Sequence, residues 1–153
     1  MTDKLEYASS FNDLLVYRKA RELSLSIFRL TKQFPKEENY SLTDQIRRSS
    51  RSIGAQIAEA WAKRQYEKHF LSKLTDSDGE QQETQHWIGT ALDCEYISRG
   101  EANFLLEKCA EIGRLLGGMM AKSEQFCRPF LYKVREEQAE YFIPLPSQAD
   151  HQN

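Results

Sequence analysis

Glu83 and His86 have the Glu-x-x-His spacing with which helical bundles hold a pair of iron ions. Such a centre needs a second pair of this kind and two further glutamates that face inward. The other histidines, His69 and His151, have no glutamate three residues before them. The spacing therefore argues against a di-iron site, and we expect neither a metal nor another cofactor.

The three cysteines, Cys94, Cys109 and Cys127, are odd in number and lack metal-ligand spacing. Without a signal peptide they are interpreted as reduced thiols of a cytoplasmic protein. Cys109 falls among apolar residues at helical spacing, where a thiol is a small hydrophobic group and not a nucleophile. No glycine-rich phosphate loop follows a strand, and no apolar run could cross a bilayer. We therefore predict that the chain is not an enzyme and does not contact a membrane.

Basic residues are concentrated in the first half of the chain. Residues 1–73 contain 14 Lys/Arg and 9 Asp/Glu, hence +5, whereas residues 74–153 contain 7 and 14, hence −7. If the basic residues share one face they could bind phosphates of RNA or DNA. Alternatively they pair with an acidic stripe of Asp76, Glu80 and Glu83, within the chain or across a subunit boundary. The net charge of −2 favours the pairing. The candidate nucleic-acid contacts are Arg18, Arg21, Arg29, Arg47, Arg48 and Arg51.

Four helices are predicted to position these residues. Apolar and small residues recur in steps of three and four, and no proline occurs between Pro35 and Pro129. The first helix is predicted to end at Phe34, before Pro35. The second is predicted to begin at Ser41 or Thr43, the third to span about 66–94, and the fourth to begin near Ser98 or Glu101. The predicted core positions are Val16, Ala20, Leu23, Ile27, Leu30, Phe34; Ile46, Ser50, Ile53, Ile57, Ala60; Phe70, Leu74, Ser77, Gln81, Thr84, Ile88, Ala91; and Ala102, Leu105, Cys109, Ile112, Leu116, Met119.

Short connections between these segments predict an all-α fold, an antiparallel up-down-up-down four-helix bundle with a C-terminal extension. We divide the chain into an N-terminal lead-in at 1–10, the bundle at 11–122 and a tail at 123–153. The tail contains the apolar segment YFIPLP at 141–146, whose prolines exclude a helix. This segment docks on the bundle or on a partner, or it is disordered.

The predicted core also contains polar and glycine positions. A buried amide at Gln81 needs a partner, and the hydroxyls of Ser49 and Ser50 on the facing helix are the predicted ones. Gly113, Gly117 and Gly118 weaken the fourth helix, and close approach of another backbone would be a reason to tolerate them.

The second helix, around 41–64, has a face opposite its core stripe that is rich in alanine. One explanation is that alanine is the best helix former. The other is a second packing surface, against a partner chain or the tail. The candidate interface residues are Gly54, Ala55, Ala58, Trp61 and Ala62, together with the acidic stripe and its tryptophan, Asp76, Glu80, Glu83 and Trp87.

Several segments resemble one protein family. They are FP at 34–35, YSLTDQIRRSSRSI at 40–53, IAEAW at 57–61, ETQ at 83–85 and IGRLLGGM at 112–119. Over roughly 11–122 the chain is similar to the four-helix bundle proteins named after intervening sequences in 23S rRNA genes. The resemblance implies assembly into a ring, typically a pentamer, and no catalytic residues. A related branch, the accessory protein of diversity-generating retroelements, binds nucleic acid and a reverse transcriptase through a basic surface, and this acidic chain departs from it.

The sequence thus supports two hypotheses of function. The first is a non-enzymatic, homo-oligomeric bundle that acts as an assembly or adaptor module with itself as partner. The second is a nucleic-acid-binding accessory protein that uses the arginines above, with RNA, DNA or a nucleic-acid enzyme as partner.

Overall fold

Four long helices make up most of the computed structural model, which describes residues 8–128. They are α1 (Leu15–Thr31), α2 (Leu42–Ala62), α3 (Glu67–Asp93) and α4 (Arg99–Ala121), and no strand occurs within 8–128. Consecutive helices pack against one another and α1 packs against α4, whereas no Cα atoms of the diagonal pairs lie within 8 Å of each other. The predicted up-down-up-down four-helix bundle is confirmed.

The bundle core is formed by the residues that the helical periodicity predicts. All the core positions predicted on α2, α3 and α4 are buried. On α1, Leu30 is half-buried and the four earlier positions are buried. The periodicity also places the polar members of the core correctly, because Ser50, Ser77, Gln81 and Thr84 are buried.

The helix ends follow local hydrogen bonding. The Ser98 hydroxyl accepts from the Glu101 amide at 3.0 Å and the Glu101 carboxylate accepts from the Ser98 amide at 2.9 Å, a capping box that begins α4. α1 ends at Thr31, and the predicted end at Phe34 is wrong. The turn before Pro35 tightens, so that the Phe34 amide donates to the Thr31 carbonyl at 3.1 Å.

The partners predicted for Gln81 are also wrong. Its Nε2 donates to Asp78 Oδ1 at 3.0 Å, and its Oε1 accepts from Gln85 Nε2 at 2.7 Å. Both partners lie on α3 itself, because residues three and four positions away share a helix face. Ser49 on α2 instead accepts a hydrogen bond from the Thr84 hydroxyl at 2.9 Å.

Close approach explains one of the three α4 glycines. A Cβ on Gly113 would lie 3.0 Å from Nε2 of Gln81, so α4 packs closely on α3 there. A Cβ on Gly117 or Gly118 would meet no atom within 4 Å. The close contact at Gly113 is therefore with a side chain and not with a backbone, and within residues 8–128 no backbone approaches Gly117 or Gly118.

Residues 123–128, which the sequence division assigns to the tail, are helical. The Phe126 ring stacks on Phe70 with centroids 5.8 Å apart, Cys127 is buried, and the Ser123 hydroxyl donates to Glu67 at 2.5 Å. The apolar segment 141–146 lies outside the described residues.

Candidate functional site

A groove between α1 and α2 gathers basic, aromatic and small side chains on the outside of the bundle. Two cavities of about 350 and about 270 Å³ form it, and Arg21, Ser24 and Arg51 line both. Phe28 lies in the wall of the larger cavity, and Ala58 in the wall of the smaller. We call this feature the α1/α2 groove.

Phe28 is the point on which the cations of this groove converge. The guanidinium carbons of Arg47 and Arg51 lie 4.9 and 5.6 Å from the centre of its ring, and Lys32 Nζ lies 4.8 Å away. Arg47 is also held by its Nε, which donates to the Thr31 hydroxyl at 2.8 Å. The aromatic ring thus orders three cations at one end of the groove.

Tyr17 occupies the other end of the groove. Arg21 donates to its hydroxyl at 3.4 Å, and Phe11 packs edge-on against its ring at 4.9 Å. A Cβ on Gly54 would lie 3.5 Å from the Tyr17 ring and 3.8 Å from Ala20. The small size of Gly54, an interface candidate from the sequence, therefore serves the packing of α1 on α2 within the chain.

The six candidate arginines divide between this groove and other places. Arg21, Arg47 and Arg51 lie in or beside it. Arg48 forms an ion pair with Asp44 at 3.8 Å, and Arg18 donates to the carbonyl of Asp13 at 3.3 Å. Arg29 lines a separate cavity of about 510 Å³ between α1 and α4.

The C-terminal half of the outer face of α2, which we call the α2 crest, contains Ala55, Ala58 and Ala62, with Glu59 exposed among them. Ala55 and Ala62 are exposed, and Ala58 is half-buried between them. Trp61 is half-buried, with the Arg64 guanidinium 3.4 Å from its ring centre, and its carbonyl accepts from Arg64 Nε at 2.8 Å. The small side chains of the crest would therefore allow the backbone of another element to pack closely against α2.

The acidic stripe lies on α3, on the side that faces α2. Asp76 and Glu83 are exposed, whereas Glu80 is half-buried. Partial burial, a hydrogen bond with Glu83 and the charges of Glu83 and Asp76 raise the pKa of Glu80. Trp87 donates from its indole to Glu83 at 3.4 Å. The stripe therefore crowds negative charge beside a half-buried aromatic ring.

Arginines of α1 and α2 do not neutralise this stripe within residues 8–128. Its ion pair there joins Asp76 to Lys73 at 3.9 Å, and Lys73 lies closer to Glu59, at 2.9 Å. The pairing predicted inside the chain is therefore wrong. Arg47 and Arg51 turn to Phe28 on α1, and Arg48 pairs with Asp44 on its own helix.

The residues considered for chemistry stand apart from one another. Glu83 and His86 are exposed on α3, and the described part of the chain brings no three His, Cys, Asp or Glu residues together as metal ligands. Burial raises the pKa of the Cys109 thiol to about 12, as suits a small core residue. None of the four helices is long and apolar enough to span a membrane.

Comparison with known proteins places this geometry in a family. The family model of the 23S rRNA-intervening sequence protein matches residues 12–118. The chain belongs to this family. A crystal structure at 1.70 Å of a protein with unknown function from the S23 ribosomal protein family from Bacteroides thetaiotaomicron is 32% identical, with a TM-score of 0.63, and the match covers 69% of this chain and 95% of that one. No curated protein matches the chain.

Two residues of the α1/α2 groove, Tyr17 and Phe28, are not among the site residues predicted from the sequence of this 23S rRNA-intervening sequence family member. Both fall outside the predicted core stripe of α1, on the same side of the helix as Arg21, four and seven residues away. Aromatic residues that share a face with arginine and lie off the core stripe are the signal that could have identified them.

Proposed function

We propose that the protein is a non-enzymatic, homo-oligomeric bundle, a pentameric ring that serves as an assembly or adaptor module. The α2 crest is the observation that supports this proposal. α2 packs against α1 on one side and α3 on the other, and its third side presents Ala55 and Ala62 to solvent. Because the side chains there are small, the axis of a helix from a neighbouring copy can lie about 8–10 Å from the axis of α2, the spacing of closely packed helices.

The acidic stripe supports an interface that continues from the crest onto α3. Glu80 is crowded by Glu83 and Asp76, so a cation from a neighbouring copy would relieve a repulsion that its own chain leaves in place. An interface that joins different surfaces of two copies closes into a ring when the rotation between them permits. The expected interface residues are Ala55, Ala62, Asp76, Glu80, Glu83 and Trp87.

Sedimentation velocity tests this proposal. The protein should sediment as an oligomer at micromolar concentration, and Ala62→Glu should dissociate it because the glutamate would meet a packed surface. Ala110→Glu is the matched control, since Ala110 is an exposed alanine within α4. A monomeric parent protein, or equal effects of the two variants, would contradict the proposal.

The convergence of Arg47, Arg51 and Lys32 on Phe28 favours a second candidate function, nucleic-acid binding. Arginines ordered beside an aromatic ring can contact phosphates while the ring stacks on an unpaired base. Fluorescence anisotropy with structured RNA and duplex DNA at two salt concentrations tests it. Binding should weaken as salt rises and in Arg51→Gln, and should be unchanged in Arg99→Gln on α4. No salt-sensitive binding at low ionic strength would exclude this function.

A further inference from the structure

We propose that the acidic, proline-containing segment at 136–146 occupies the α1/α2 groove of its own chain. The inference goes beyond the proposed function and is carried by other residues, Arg21, Arg51 and Phe28, although the groove shares Ala55 and Ala58 with the α2 crest. The groove is basic and aromatic, and the segment belongs to the same chain. The segment lies outside the described residues and outside the family match at 12–118.

The sequence of the segment complements the groove in charge. Residues 136–146 read EEQAEYFIPLP, with three glutamates and neither lysine nor arginine. The groove presents Arg21 and Arg51, both exposed, with Arg47 beside them. Glu22 also lines it, but its carboxylate lies 3.9 Å from Lys19 and 3.9 Å from Lys108. Because the acidic stripe on α3 does not neutralise these arginines, the glutamates of the segment would supply the opposite charge.

The apolar part of the segment complements the groove in shape. Proline-containing extended segments dock in grooves lined by aromatic rings, since the prolines fix the backbone before it binds. The α1/α2 groove has Phe11 and Tyr17 at one end and Phe28 at the other. Between them Ala55 and Ala58 contribute only small side chains, which leaves room for a second backbone.

The length of the connection permits docking within one chain. Phe126 packs on Phe70 in the first turns of α3, so Arg128 lies at the end of the bundle where α2 finishes. Residues 129–135 can extend across about 23 Å. Neighbouring helices of a bundle lie about 8–10 Å apart, so this connection can pass from α4 to the groove. A tether this short also gives the segment a high local concentration, on the order of millimolar.

Disulfide trapping in the full chain tests the proposal. Cys94, the exposed native thiol, is replaced by serine, and Ile143→Cys is combined with Ser24→Cys in the groove. Ser26→Cys is the matched control, because Ser26 is also half-buried on α1 but lines the α1/α4 cavity. Ala58→Cys, on the opposite wall of the groove, provides a second position should Ser24→Cys disturb the fold. Circular dichroism checks each variant.

The disulfide between Ile143→Cys and Ser24→Cys should form within one chain. It should form at least about tenfold faster than the disulfide between Ile143→Cys and Ser26→Cys, because docking raises the local concentration of the segment at the groove. Arg51→Glu should slow it several-fold, whereas Arg99→Glu should not. Equal rates at the two serine positions, or insensitivity to Arg51→Glu, would overturn the proposal. A disulfide-linked dimer as the main product would also overturn it and assign the groove to a second copy. Because the product is scored within one chain, failure of the proposed assembly leaves this result unchanged.

Discussion

The hydroxyl of Tyr96 donates a hydrogen bond to Oε1 of Glu38 at 3.2 Å. Tyr96 belongs to the connection between α3 and α4, and Glu38 to the turn that precedes α2. The other oxygen of Glu38 accepts from the Ser41 hydroxyl at 2.7 Å and from the Leu42 amide at 3.0 Å. The Tyr96 ring also packs on Phe34 at 5.4 Å. A single carboxylate therefore caps α2 and ties together two connections at the same end of the bundle.

Replacement of Glu38 should change how stability depends on pH. Hydrogen bonds from the Ser41 hydroxyl, the Leu42 amide and Tyr96 lower the pKa of Glu38 below its ordinary value of 4.5. A carboxylate with a depressed folded-state pKa stabilises the fold above its unfolded pKa, and this contribution is lost as the pH falls through the folded value. Glu38→Gln should therefore lower the free energy of unfolding at neutral pH and have little effect in acid.

Urea unfolding at neutral pH and below the folded-state pKa of Glu38 measures this difference. Glu37→Gln is the control, because Glu37 is exposed and makes none of the three hydrogen bonds. Asp13 and Glu59 also have lowered pKa values, so part of the acid sensitivity should remain in every variant. A loss of equal size at the two pH values would refute the role of the ionised carboxylate.

The hydroxyl pair of Ser49 and Thr84 should show strong coupling. Thr84→Val keeps the shape of the side chain but leaves the Ile46 carbonyl as the remaining partner of the buried Ser49 hydroxyl, and should cost about 0.5–1.5 kcal/mol. Ser49→Ala in the same chain should recover part of that loss, because neither polar group then remains. Urea unfolding of the parent, the two single variants and the double variant gives the coupling energy. Strictly additive effects would show that the hydrogen bond contributes nothing to the free energy of unfolding.

The four helices could be predicted because burial imposes a period of 3.6 residues on the sequence. On α3 this period identifies every buried position, including Ser77, Gln81 and Thr84, whose polarity alone would have suggested exposure. The hydrogen-bond partners of those residues could not be predicted in the same way. A glutamine amide can reach its own helix or a neighbouring one, and only the packed structure decides that Gln81 pairs with Asp78 and Gln85.

The candidate site could be predicted only in part. Arginines were identified by type, but their positions around the helix decide which of them meet. Arg47 and Arg51 lie on the α1 side of α2 and share the ring of Phe28, whereas Arg48 turns away to Asp44. Charge counts along the chain contain no such directional information, which is why the pairing of these arginines with the α3 stripe inside the chain is wrong, whereas pairing across a subunit boundary stays a prediction.

The three cysteines should react with a thiol reagent at very different rates. Cys94 is exposed, whereas Cys109 and Cys127 are buried. Burial raises the pKa of Cys109 from 9.0 to about 12, which lowers its thiolate fraction about a thousandfold at neutral pH. Burial, aided by the charge of Glu67, also raises the pKa of Cys127. Ellman's reagent should therefore label one thiol rapidly in the folded protein and all three in urea, and Cys94→Ser should remove the rapid phase. Two rapid thiols in the folded protein would show that one of the buried sites opens easily.

Two glycines of α4 should respond in opposite ways to alanine. Gly117→Ala places a methyl group where no atom lies within 4 Å, so the variant should gain helix propensity and stabilise the fold by about 0.5–1 kcal/mol. At Gly113 the same methyl group would lie 3.0 Å from the amide of Gln81, which hydrogen bonds to Asp78 and Gln85 hold in place. Gly113→Ala should therefore gain nothing or destabilise the fold. Thermal unfolding separates the two outcomes, since 1 kcal/mol corresponds to about 2–4 °C in Tm for a chain of this size. Equal stabilisation by both substitutions would mean that Gln81 moves freely, and that the contact between α3 and α4 does not require glycine at this position.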